Sequence, residues 1–168
     1  YATSYIPTVA STVTRNATVV SRNDIYTNGL VTNEGGTWFV ELINNKELIR
    51  DASSNMFLGT STNGNDTAFV IRSNSSGSVK LSIGTRISGA ITSAELITTE
   101  TAKVLVKWNG ITCDFFINGT KYNAGTSFPY VNLNFLVFNS GDLPKYIKSN
   151  LLFPTPLTDA ECIELTTI

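Results

Sequence analysis

The chain has no histidine. A Ser-His-Asp or Cys-His nucleophile system therefore cannot be assembled from it, and the usual histidine-containing zinc sites are excluded too. Cysteine is scarce, with Cys113 and Cys162 as the whole supply. Two readings of that pair stay open. They are buried thiols packing as small hydrophobes, or they form one bridge between the C-terminal segment and a strand, which needs Cα atoms within about 7 Å. Charge is sparse as well, with 15% charged residues, 12 basic against 13 acidic, and a net charge of −1. No basic run is present, so the phosphate-neutralising footprint of a nucleic-acid binder is missing. No apolar run approaches the roughly 18 residues of a membrane helix, so membrane insertion is not expected. No signal-peptide pattern opens the chain. It begins with Tyr1 rather than Met, and we read residues 1–168 as one domain and a fragment or processed form of a longer chain.

What the sequence has instead is uncharged polarity: 23 Thr, 16 Ser and 17 Asn beside 42% apolar residues. Thr suits strands, while Asn, Ser and Gly suit turns, so the composition is all-β. The clearest stretch runs from Val104 to Tyr122. Two Asn-Gly dipeptides, Asn109-Gly110 and Asn118-Gly119, bracket seven residues that read as a strand. Asn-Gly suits a type I′ turn because both central residues must reach positive φ. Strand, turn, strand, turn, strand follows. Val104, Val106 and Trp108 share one face, as do Ile111, Cys113, Phe115 and Ile117.

Elsewhere, short strands are expected at Ala17–Val20, Thr37–Ile43, Met56–Leu58, Ala68–Ile71, Val79–Ile83, Leu133–Phe138 and Ile147–Phe153. In the strand at 37–43 the Trp38 face is expected inward, because the alternate face carries Glu41. Lys46–Arg50 suits a helical turn, and Ala94–Ile97 fits a strand or a turn of helix. Thr158-Asp-Ala-Glu161 is a capping box that starts a short terminal helix, with Asp159 favouring the positive end of its dipole. Ala160, Ile163 and Leu165 are expected to dock that helix on the sheet. About ten short strands and one helix indicate two packed antiparallel sheets, most naturally a jelly-roll sandwich. The expected core is Trp38, Val40, Leu42, Phe69, Ile71, Leu81, Ile83, Val104, Val106, Trp108, Phe115, Ile117, Phe135, Val137 and Leu152.

The central hairpin, Lys103-Val-Leu-Val-Lys-Trp108 followed by Phe115-Phe-Ile-Asn-Gly119, resembles that of concanavalin A-like (laminin-G-like) domains. Ser4-Tyr-Ile-Pro-Thr8 with Thr12-Val-Thr-Arg-Asn16 is similar to the opening of such domains in bacteriophage tail and fibre proteins. Tyr146–Phe153 and Pro156–Glu161 resemble the family's closing strand and helix. The resemblance implies a concanavalin A-like jelly roll with one short C-terminal helix. It also implies a lectin-like role on a virion surface or outside a cell, with a polysaccharide or cell-surface glycan as partner. Other virion protein domains, and a homotrimer through the parent protein, are the further partners it suggests.

Candidate chemistry is limited. The glycosidases of this fold carry Glu-x-Asp-x-x-Glu on one strand, and retaining enzymes need two carboxyl groups about 5 Å apart. No Glu-x-Asp occurs here. Asp159-x-Glu161 and Glu161-x-x-Glu164 belong to the capped helix, so no catalytic residue is assigned. A glycan site needs an aromatic face and a few fixed polar groups. The loops holding Asn63-Gly-Asn-Asp66, Phe128-Pro-Tyr130 and Gly141-Asp142 supply both, and we take Asn65, Asp66, Tyr130 and Asp142 as the carbohydrate-binding candidates. The competing explanation is that Asn and Asp serve turn geometry there, and that Tyr130 is a packing residue. No cofactor is required. The resemblance allows a Ca²⁺ ion at Asp66 or Asp142, although no clear run of oxygen ligands accompanies them. A lectin-like module, a structural virion domain and a carbohydrate-binding module of a secreted enzyme all fit this frame. Fold alone does not separate them.

Overall fold

The structure is a computed structural model that describes residues 21–32, 34–43, 55–60, 68–74, 80–87, 90–97, 101–110, 112–123, 133–140 and 147–168. The expected strand at Ala17–Val20 and helical turn at Lys46–Arg50 lie outside these residues. The described elements are β1 (Ser21–Arg22), β2 (Gly35–Leu42), β3 (Asn55–Gly59), β4 (Ala68–Asn74), β5 (Lys80–Ile87), β6 (Ala90–Ile97), β7 (Ala102–Asn109), β8 (Thr112–Ile117), β9 (Thr120–Asn123), β10 (Phe135–Ser140), β11 (Ile147–Phe153) and the helix α1 (Asp159–Thr166). They form two sheets, a six-stranded one ordered β1-β10-β3-β4-β5-β6 and a five-stranded one ordered β11-β2-β7-β8-β9. Every pairing is antiparallel. The stretch at Ala94–Ile97 is strand, paired through Leu96 and Ile97 with β5.

One core joins the sheets. Leu58, Phe69, Ile71 and Leu136 from the larger sheet meet Trp38, Val40, Val104, Val106, Trp108 and Phe115 from the smaller one. Phe69 is the bridge: its ring centroid lies 5.3 Å from that of Trp108 and 6.3 Å from that of Phe115, edge-on to the latter. Such aromatic contacts add to simple area burial. Ten of the expected core residues are buried: Trp38, Val40, Leu42, Phe69, Ile71, Val104, Val106, Trp108, Phe115 and Ile117. Leu152 is half-buried against them. The expectation for β10 is corrected. Leu136 is buried and stands opposite buried Leu58, so the register puts Phe135 and Val137 on the other face of the sheet. Leu81 and Ile83 keep the core-side register, opposite Ser73 and Ile71.

The central hairpin follows the expected plan, with one shift. Asn118 and Gly119 both take positive φ, 49° and 79°, and close the two-residue turn between Ile117 and Thr120. Asn118 also accepts from the Lys103 N–H at 2.9 Å through its side-chain oxygen. At the first turn, however, Asn109 pairs with Thr112, so Asn109 ends β7 and Gly110, at φ 61°, begins the turn.

The outer face of the five-stranded sheet is covered rather than bare. Phe39, Leu105 and Phe116 form a second core with Cys162 of α1, and Phe153, Leu157 and Leu165 are packed against it. Glu41, expected to mark a solvent face, is 8% exposed and accepts from Lys148 Nζ at 2.9 Å. The capping box forms as read: Thr158 N–H donates to Glu161 Oε2 at 2.7 Å, and Glu161 N–H to Thr158 Oγ1 at 3.3 Å. The docking face of α1 differs from expectation. Cys162 and Thr166 are buried and Leu165 is half-buried, while Ala160 and Ile163 are exposed. In this orientation the Asp159 carboxylate pairs with Lys107 and, at 2.7 Å, with Lys121. Those two ammonium groups also sit 5.6 and 5.8 Å from the centre of the Phe116 ring.

The bridged reading of the cysteines is likewise corrected. Cys113 and Cys162 are separate thiols. Cys113 belongs to the core between the sheets and Cys162 to the core beneath the helix, so the five-stranded sheet stands between them. Among the described residues, no helix is long and apolar enough to cross a membrane.

Candidate binding face

Strand pairing assembles a surface that no local stretch of sequence reveals. On the face of the six-stranded sheet opposite its core side, the register aligns three rows. One row is Ser140, Asn55, Arg72, Ser82 and Leu96. The next is Val137, Phe57, Val70, Gly84 and Ser93. The third is Phe135, Gly59, Ala68, Arg86 and Ile91. With strands about 4.8 Å apart and same-face residues repeating every ~6.8 Å, the grid spans roughly 19 Å by 14 Å. The helix packs on the five-stranded sheet instead. Among the described elements, none is layered on this face.

The residue types suit a ligand that is partly apolar and partly polar. Phe57, Val70, Val137 and Phe135 adjoin one another across β3, β4 and β10, next to small residues at Gly59, Ala68, Gly84 and Ser93. Asn55, Arg72, Ser82 and Arg86 border that strip. Sites for small molecules combine such apolar ground with a few placed polar groups.

A described loop lies beside the Phe135 end of β10. Asn134 holds it: its side-chain oxygen accepts from Tyr26 N–H at 3.0 Å and Thr27 N–H at 3.2 Å, and its amide donates to Asn23 O at 2.7 Å. Within the loop, Asp24 accepts from Arg22 and, at 2.6 Å, from Asn28. The Arg22 guanidinium holds the Asp24 carboxyl below its usual 3.8, with Asn28 adding a smaller effect in the same direction.

The four residues singled out in the sequence, Asn65, Asp66, Tyr130 and Asp142, lie outside the described residues. The strand ends that flank them are described. Gly59, Ala68 and Phe135, which border the segments holding Asn65, Asp66 and Tyr130, stand side by side in one row. Ser140, which precedes the segment holding Asp142, stands in the row farthest from it. Asp66 and Asp142 were also the calcium candidates. Among the described residues, no three His, Cys, Asp or Glu side chains gather as a metal site would require. Asp159 and Glu161 are engaged with Lys107, Lys121 and Thr158, as their place in a capped helix suggests.

The grid residues Phe57, Val70, Arg72, Arg86 and Phe135 escape a reading of the sequence alone. Their signal is a strand apolar on both faces, as in Ala68-Phe-Val-Ile71. That pattern announces a second buried or ligand-covered surface without saying which side is which.

No family model matches the chain, and no curated protein is similar to it in sequence. Solved structures are similar in fold. Domain 4 of an extracellular arabinanase from Geobacillus stearothermophilus, solved in complex with arabinotriose, aligns with a TM-score of 0.59 and 18% identity, over 83% of this chain and 69% of that one. The CBM40 domain of the Ruminococcus gnavus IT-sialidase, solved bound to α2,3-sialyllactose, aligns with a TM-score of 0.54 and 17% identity, over 84% of this chain and 86% of that one. The binding domain of botulinum neurotoxin serotype D aligns with a TM-score of 0.51 and 11% identity, over 77% of this chain and 36% of that one. At these identities the likeness is one of fold: a predominantly antiparallel β module with one short helix.

Proposed function

We infer that the chain is a non-enzymatic glycan-binding module built on a concanavalin A-like jelly roll, and that it binds through the outer face of the six-stranded sheet, on which none of the described elements is layered. The observation that carries this reading is the cross-strand grid. An apolar strip of Phe57, Val70, Val137 and Phe135 is bordered by Asn55, Arg72, Ser82 and Arg86. A sugar ring has one apolar face for the strip and hydroxyls for the border. The fold likeness to domains solved with arabinotriose and with sialyllactose supports the same reading. Binding at one such face is weak, and several copies on a parent assembly make it useful through avidity. The similarity of Ser4-Tyr-Ile-Pro-Thr8 and Thr12-Val-Thr-Arg-Asn16 to the opening of phage tail and fibre domains supports host-surface recognition on a virion as the setting. Asn65, Asp66, Tyr130 and Asp142 stay candidates for contact with the glycan on their residue types alone.

The test is a glycan array probed with the purified domain displayed multivalently. Saturable binding to one class of polysaccharide is expected. Phe57→Ala and Phe135→Ala should each weaken it roughly tenfold while leaving the thermal midpoint within a few degrees of the parent. Silence across the array, or binding indifferent to both substitutions, overturns the assignment.

A further inference from the structure

We propose that Asn118 is a latent deamidation site, and that the docked helix α1 holds it unreactive.

Asparagine followed by glycine is prone to this reaction, because glycine leaves the next peptide nitrogen unshielded and free to rotate. The Gly119 nitrogen attacks Cγ of Asn118. An N–Cγ bond forms and the Cγ–Nδ2 bond breaks. The peptide proton passes through water to the departing nitrogen, and ammonia leaves behind a five-membered succinimide. Water then opens the ring at one carbonyl or the other. The products are aspartate and iso-aspartate, whose backbone runs through Cβ and carries an extra carbon. Two conditions must be met first. The Gly119 nitrogen must leave its hydrogen-bond partner, and the Asn118 side chain must swing over it.

The folded chain opposes both. The Gly119 N–H donates to Thr166 Oγ1 at 3.2 Å. Asn118 is gripped by the two peptide groups of one residue. Its N–H donates to Lys103 O at 3.0 Å, and its side-chain oxygen accepts from Lys103 N–H at 2.9 Å. Thr166 is buried in the last turn of α1, and its hydroxyl donates to Cys162 O at 2.7 Å, which leaves a lone pair for Gly119. The fit is close, since a Cβ on Gly119 would stand 3.1 Å from Thr167 Oγ1. Lys103 Nζ also donates to Thr167 O at 2.7 Å. The end of α1 is thus fastened to this turn and to the strand beside it. Asp159, with Lys107 and Lys121, fastens the other end.

Two further Asn-Gly pairs serve as internal references. Gly110 N–H donates to Glu34 O at 3.0 Å, and Gly29 N–H to Tyr26 O at 3.0 Å. Asn109 and Asn28 are exposed. Their glycines are held by loop carbonyls and not by α1, so loosening the helix does not release them. Iso-aspartate at position 118 would lengthen the turn between β8 and β9 and shift the nitrogen bonded to Thr166. Because ammonia is lost, the loosening of α1 that follows is one-way.

The experiment ages the purified domain at mildly alkaline pH, folded and in urea. Mass-spectrometric peptide mapping follows aspartate and iso-aspartate at Asn28, Asn109 and Asn118. Asn118 should react roughly a hundredfold or more slowly folded than unfolded. Thr166→Val keeps the shape and removes the hydroxyl. It should speed the reaction at Asn118 roughly fivefold and leave Asn28 and Asn109 unchanged. Thr166→Ser, which keeps the hydroxyl, should stay close to the parent. Acceleration at all three sites marks a valine variant that has unfolded, and hydrogen exchange of the parent then decides. The Gly119 amide should open together with the Cys162 and Thr167 amides of α1. Three results overturn the proposal: an Asn118 as reactive folded as unfolded, a folded valine variant with an unchanged rate at Asn118, or a Gly119 amide that exchanges independently of α1.

Discussion

Gly36 stands directly opposite Trp108 in the pairing of β2 with β7, and the indole lies over the glycine. A methyl group at position 36 would come 2.4 Å from Trp108 Cζ2, 2.8 Å from Cη2 and 3.0 Å from Cε2. Carbon atoms rest at about 3.5–4.0 Å, so Gly36→Ala creates an overlap of roughly 1 Å with a rigid ring. The ring has no room to retreat, because Trp108 is fully buried and Phe69 lies against it with centroids 5.3 Å apart. Overpacking of this kind costs about 1–3 kcal/mol, and three close contacts argue for the upper end. Replacing glycine returns about 0.4–1 kcal/mol through the unfolded chain. The net expectation is a loss of about 2 kcal/mol. For a chain of this size that lowers the thermal midpoint by about 4–8 °C. Urea denaturation followed by tryptophan fluorescence should show a lower midpoint with an unchanged slope. The cycle with Trp108→Phe sharpens the test. Phenylalanine leaves space beside residue 36, so the two substitutions should be less costly together than their sum, by about 1 kcal/mol or more. A Gly36→Ala protein as stable as the parent, or a strictly additive cycle, would refute the account of the indole lying over the glycine.

Two further measurements probe the helix. Asp159 is held below its usual 3.8 first by Lys107 and then by Lys121. A depressed carboxyl contributes stability above its unfolded value and loses it as the pH falls through the folded one. Asp159→Asn should therefore lower the thermal midpoint slightly between pH 5 and 7, by the fraction of a kcal/mol typical of half-exposed ion pairs. That difference should vanish well below the usual carboxyl value and shrink in high salt; a difference that grows on acidification contradicts the pairing. Cys162 is buried beneath the helix, which pushes its thiol up to about 11. Thiolate is the reactive form, so native protein at pH 8 should react with a maleimide at Cys162 roughly a hundredfold slower than an exposed thiol. It should label fully on unfolding, and rapid native labelling at that position would mean that α1 does not dock there.

The parts of the fold legible in the sequence are those fixed by short-range chemistry. Asn118-Gly119 closes a turn because those two residues accept positive φ, and Thr158 with Glu161 caps a helix because their side chains reach each other's backbone. The inward face of β2 was readable from Trp38, Val40 and Leu42, since period two has only two phases. Where both phases are apolar the phase is lost. Leu133-Asn-Phe-Leu-Val-Phe138 offered Phe135 and Val137 for the core, and only pairing with Leu58 selects Leu136. The face of the helix is ambiguous for a similar reason: its apolar residues are few and spread around it, and the structure buries Cys162 with Leu165 against Phe39, Leu105 and Phe116. The candidate site was hidden more deeply. Loops rich in Asn, Asp and Tyr draw attention because their composition is local, and Asn65, Asp66, Tyr130 and Asp142 stand out in the sequence for that reason. The grid joins Phe57, Val70, Gly84 and Val137 across four strands, and no window of sequence contains that neighbourhood.

The two sheets also explain why a ligand face would sit on one and not the other. A sandwich has two outer surfaces, and each must be reconciled with water, a covering element or a ligand. On the five-stranded sheet the reconciliation is internal: Phe39, Leu105 and Phe116 are covered by α1, and the lysines around them meet acids of the same chain. A ligand there would have to displace the helix. The six-stranded sheet combines apolar and cationic residues on its outer face with no partner element among those described. Its positions are set by backbone ladders rather than by loop conformation, so little ordering entropy is lost when something binds across them.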